Sequence, residues 1–170
     1  MKKIISAGSR TVLLSAGAGA LIHYKKQFGT EYTDDFSAVA ELSGQEKFEK
    51  LAETEMRLLW AMARAANKAL PPPEEWLTLF GTEELFEASQ AAGKMFLAAL
   101  KESSENNSGN GAEFTSENLI ASALACGLSI GDLDDMPLPM VLGTIGEWCK
   151  IKGYAEQDAR PATQADFDAL

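Results

Sequence analysis

The sequence predicts a mainly α-helical domain of five or six helices, with a small N-terminal β-hairpin and a disordered C-terminal tail. Three observations carry this. Two long stretches, 45–70 and 83–101, repeat apolar residues at spacings of three and four, the mark of an amphipathic helix. The first fifteen residues hold two short β-branched-rich runs. The last seventeen residues are acidic and rich in Ala and Gln, with no apolar period, so they cannot bury enough surface to fold.

In chain order, residues 2–6 and 11–15 (KKIIS and TVLLS) flank Ala-Gly-Ser-Arg and read as a hairpin. An isolated hairpin is marginal, so it must lie on helices or pair with another chain. Residues 17–28 then form a helix with Leu21, Tyr24 and Phe28 on one face and Gly29 as terminator. Thr30 is placed to cap a helix over 31–42 that presents Tyr32, Phe36 and Val39.

The long helix 45–70 follows. Phe48, Leu51, Ala52, Leu59, Met62, Ala63 and Ala66 make its apolar face, leaving Glu46, Glu49, Lys50, Glu53, Arg57 and Arg64 for solvent. Pro71-Pro72-Pro73 stops it, because proline cannot donate to the helix ladder. Residues 74–80 (EEWLTLF) form a short helical turn. Thr82 caps the second long helix, 83–101, with Phe86, Gln90, Phe96 and Leu97 as its stripe and Leu85 and Leu100 beside it.

The main domain thus covers 1–102. Residues 103–113 (SSENNSGNGAE without its neighbours' apolar anchors) read as a flexible linker. A C-terminal helical segment, 114–153, contains a capped helix over 117–126, a turn at 130–136 and a last helix opened by Pro137 and Pro139. Met140, Val141, Ile145 and Trp148 form the last helix's face, and Gly153 ends it. The tail occupies 154–170.

Composition narrows the function. With 25 acids against 15 bases the formal net charge is −10, which repels phosphate backbones and argues against nucleic-acid binding. It suits a partner that is basic or apolar. Cys126 and Cys149 sit in separate apolar patterns without CxxC spacing, and His23 is the single histidine. Buried free thiols in a reducing cytosol are therefore expected, with no metal site, cofactor or disulfide framework. The N-terminus has lysines and small residues like a signal peptide, but Arg10 cuts its apolar core below the expected ~7–15 residues. Nothing approaches the ~20 apolar residues of a membrane span.

Several of these pieces, in this order, resemble the tail assembly chaperones of long-tailed, siphovirus-type bacteriophages of Gram-positive bacteria. The opening TVLLSAGAGALIHYKKQFGTEYTDDF matches at Tyr24, Lys25, Phe28, Gly29, Asp34, Asp35 and Phe36. The central LLWAMARAANKALPPPEEWLTLF matches at Trp60, Ala61, Met62, Pro73, Glu75, Trp76 and Leu77. ALACGLSIGDLDDMPLPMVLGTI matches through Gly127, Leu128, Leu133, Met136, Met140 and Val141, although Pro137-Leu138-Pro139 stands where the family commonly has threonine-glycine. The ending ATQADFDAL is also similar. The resemblance spans nearly the whole chain and contains no catalytic signature. It implies a host-cytoplasmic protein, absent from the mature virion and sometimes made in a longer frameshifted form. Such a protein binds the helical tape-measure protein, keeps it soluble and recruits tail-tube protein around it.

The chemistry-bearing motifs are weak by comparison. Gly17-Ala18-Gly19 lacks the Lys-Ser/Thr of a phosphate loop and reads as flexible entry to a helix. His23 has no recognisable nucleophile or orienting acid nearby in sequence and reads as structural. Asp132, Asp134 and Asp135 lack the EF-hand pattern and read as a solvated turn with capping acids. Trp60, Trp76, Phe80, Phe86 and Phe96 have the helical spacing of core aromatics. Trp76 and Phe80, on the segment after the prolines, are also the candidates to line a groove for a client helix. Phe167 and Leu170 in the acidic tail are candidates for a short docking motif that orders on binding. The other function class is a small non-enzymatic cytoplasmic adaptor or antirepressor-like regulator that binds a folded partner; homo-oligomers are compatible with both. An enzyme is disfavoured.

Overall fold

A computed structural model describes residues 2–104 and 115–153. Two strands, β1 (Lys2–Ala7) and β2 (Arg10–Ser15), form an antiparallel hairpin with Ile5 opposite Val12 and Ile4 opposite Leu13. Gly8 takes a φ of +58° at the first position of the two-residue turn, where a left-handed backbone matches the strand twist. The strands alternate as a half-buried pair should. Ile5, Ala7, Val12 and Leu14 face inward, while Ile4 and Leu13 are exposed. The hairpin lies on helices, β2 against α3 (Gly44–Ala66) and β1 against α5 (Thr82–Ser104).

Eight α-helices are present among the described residues: α1 (Ala18–Phe28), α2 (Tyr32–Glu41), α3, α4 (Pro73–Trp76), α5, α6 (Ser116–Ala125), α7 (Ile130–Asp135) and α8 (Leu138–Lys152). The two beyond expectation, α4 and α7, have four and six residues and lie at sites read as turns from the sequence. Proline starts α4, and a capping box between Ser129 and Asp132 starts α7. A 3₁₀ turn, Leu77–Leu79, follows α4.

Helix α3 is the hub, touching α1, α2, α5, α7, α4 and β2. It ends at Ala66, four residues before the predicted end at 70 and well short of the prolines. The reason is a set of local side-chain bonds that the apolar period does not show. Asn67 accepts from the Ala69 N–H, starting a turn, and the chain folds back so that α3's own side chains satisfy its carbonyls. Arg64 donates to Leu70 at 2.7 Å, and Trp60 Nε1 donates to Pro71 at 2.9 Å. Arg64 is therefore not a solvated charge. Neither are Lys50 and Arg57, which reach Asp35 on α2 at 3.2 and 3.3 Å.

Thr30 does not cap α2 through a backbone bond; Glu31 occupies that position, and the Thr30 hydroxyl donates to Asp35 at 2.8 Å. In α5 the buried face is Ala88, Ser89, Ala92, Met95, Phe96 and Ala99, while Phe86 and Leu97 of the predicted stripe turn outward. Helix α5 continues through Ser104, two residues into the predicted linker; the rest of that linker, 105–113, and the tail 154–170 lie outside the described residues.

The C-terminal helices complete the same core. Leu119, Ala123, Leu133, Leu138 and Val141 join Leu14, Tyr24, Leu58, Met62 and Phe96 in one apolar cluster. An aromatic chain threads it, with Tyr24 packed edge-on against Phe28 and Tyr32, and Tyr32 against Phe96.

Candidate functional site

An apolar concavity lies between α3 and α5. Where these helices face each other on the open side, small residues line the floor, Ala52 from α3 and Ser89 and Gly93 from α5. The large residues stand at the rims, Phe48 and Leu51 on one side, Phe86 and Leu97 on the other. Small residues at a helix crossing with bulky ones beside it leave a trough. It comprises two adjoining cavities of about 510 and 340 Å³ that share Phe48, Ala52, Glu55 and Phe86. Phe48 is 60% exposed and Phe86 46%. Three large apolar side chains around one groove, counting Leu97, exceed the scatter of single exposed hydrophobics normal for a surface. Sequence reasoning assigned Phe48 to the buried face of α3 and Phe86 to that of α5. The spacing was right for a helix, but spacing does not say which face meets the core.

Trp76 and Phe80, the residues expected to line a groove, stack edge-on with ring centres 4.9 Å apart. They border a separate cleft of about 460 Å³ against Arg10–Leu13 of β2, with Asn67 and Leu70 opposite. Trp76 is only 6% exposed and belongs to the core cluster, whereas Phe80 is half-buried. Trp60 and Phe96 are buried in the same core. Phe167 and Leu170 lie outside the described residues.

The polar candidates resolve into structural roles. Asp134 is buried, not part of a solvated turn: its carboxylate lies 3.2 Å from His23 Nε2 and 3.2 Å from Lys68 Nζ. Burial lowers the His23 pKa, outweighing the pull of Asp134 in the other direction. Ser15, also buried, donates its hydroxyl to the Asp134 carbonyl at 3.2 Å and not to His23, so the three do not form a nucleophile–base–acid relay. Asp132 is the capping acid of α7, and Asp135 pairs with Lys2 at 2.7 Å. Gly17 and Gly19 serve close approach, not flexibility. A Cβ on Gly17 would stand 2.7 Å from the Met136 carbonyl, and one on Gly19 would stand 2.8 Å from the Asp134 Cα.

No group of three or more potential metal ligands occurs among the described residues. Nor, among them, is any helix long and apolar enough to cross a membrane. Cys126 and Cys149 are free and half-buried, more open than the sequence implied. Burial and the neighbouring Cys149 both raise the Cys126 thiol pKa. No protein-family model, curated protein or solved structure matches the chain.

Proposed function

We propose that this protein is a helix-binding assembly chaperone, and specifically that it acts on the tape-measure protein of a phage tail, as the sequence resemblance implies. The observation that carries the helix-binding part is the α3/α5 groove, an apolar trough rimmed by exposed Phe48, Phe86 and Leu97. An amphipathic helix buries its apolar stripe in such a groove through anchors one turn apart. A client too long and apolar to stay soluble alone would be held there until tail-tube protein replaces the chaperone. The acidic surface keeps the complex soluble.

The tail-assembly reading expects a long helical protein encoded just downstream, and the test is co-expression with that protein, followed by affinity capture and a solubility comparison. Co-purification and a client soluble only in the presence of this protein are expected. Replacing Phe48 and Phe86 by Ser should abolish capture while the thermal midpoint stays near wild type, because exposed side chains contribute little to folding. A client indifferent to the protein would remove the tail-assembly function. Truncation at Pro161 tests the separate docking role of Phe167 and Leu170, which unchanged client binding would exclude.

A further inference from the structure

Two carboxylates line the apolar groove, exposed Glu83 in the larger cavity alone and half-buried Glu55 in both. Glu55 of α3 lines both cavities, and its Oε1 lies 3.2 Å from where a Cβ on Gly93 would be, so the missing side chain of Gly93 makes the space it occupies. Among the described residues Glu55 has no hydrogen bond or ion pair. Its neighbours Lys50 and Arg57 are committed to Asp35 and Glu53 instead. Burial pushes the Glu55 pKa up, with Lys94 only partly opposing. Lys94 lines the same groove, but its charge leaves the cost of burying Glu55 uncompensated, and a cation brought to the carboxylate restores the lost solvation.

Resting on the reading of this groove as a client site, we infer that its occupant is an amphipathic helix with a Lys or Arg set within its apolar stripe. The apolar anchors pack between Phe48 and Phe86, and the cation meets Glu55. The chain's net charge of −10 attracts such a helix and repels an acidic one. Glu55 thus supplies selectivity where the phenyl rings supply affinity.

Synthetic amphipathic peptides of about 20 residues, roughly 30 Å as helices, test this by fluorescence anisotropy. They share one leucine stripe and differ at a central position, Lys against Glu. The Lys peptide should bind at least about tenfold more tightly, the scale of one charge-assisted hydrogen bond. E55Q should cut the preference to the small remainder that the chain's net charge supplies, E55K should reverse it, and a preference unchanged in E55Q would overturn the role of Glu55. Equal binding of both peptides to the wild-type protein would overturn the role of Glu55 and leave the groove reading standing. Binding of neither would overturn both.

Discussion

Asp35 gathers four side-chain donors from three parts of the chain. It is buried on α2 and takes hydrogen bonds from Tyr24 at 2.6 Å, Thr30 at 2.8 Å, Lys50 and Arg57. One carboxylate therefore fastens α1, the α1–α2 turn and α3 to α2. Burial alone would raise its pKa, but the hydrogen bonds from Tyr24, Thr30 and Lys50 and the Lys50 charge outweigh it and hold the group below the usual range. The same contact pushes the Tyr24 hydroxyl pKa up, burial being the larger cause. Because the folded-state pKa of Asp35 is depressed, the unfolded chain takes up the proton first. The stabilisation is complete above about pH 4 and is lost as pH falls further. D35N should lower unfolding free energy by about 2 kcal/mol at pH 7, less than for a fully buried ion pair because Lys50 and Arg57 keep some water. Urea midpoints between pH 3 and 7 check this, with the gap between wild type and variant closing at the acid end. The acid was visible in the sequence next to an aromatic; its partners, 5 to 22 residues away, were not.

Among elements, the α1–α7 contact decides between two opposing local effects. Gly19 lies in α1, where Ala would raise helix propensity by about 1 kcal/mol. Yet its missing Cβ is the space into which the Asp134 backbone and carboxylate pack. Overpacking against backbone costs about 1–3 kcal/mol, so packing wins. G19A should be destabilising by up to about 2 kcal/mol net, measured by chemical denaturation, and should weaken the His23–Asp134 contact, measured by the His23 titration in NMR. The sequence showed glycines entering a helix. It did not show that α7, over a hundred residues later, would press on them. Helix α5 makes the same point from the other side. Its period was legible, but Phe86 and Leu97 are outside because the inward face is set by Ala88, Ala92 and Phe96 meeting α3 and the hairpin.

For the whole molecule, the helices on either side of residues 105–114 share one apolar cluster and direct bonds. Ser116 at the start of α6 donates through its N–H and its hydroxyl to the buried Glu31 carboxylate, at 3.1 and 2.7 Å. A shared core unfolds as a unit. Tryptophan fluorescence of a W148F variant, reporting Trp60 and Trp76 in the first segment, and far-UV circular dichroism, reporting all helices, should give coincident denaturation curves. Separate midpoints would show two units. The sequence by itself determined the element types and most of their ends, because period, capping residues, prolines and glycines act over one or two turns of chain. The inward face of each helix, the burial of Trp76 and the apolar groove with Glu55 inside it were decided by tertiary structure. Each depends on which surfaces remain once the helices have packed, a competition among distant residues that no local pattern encodes.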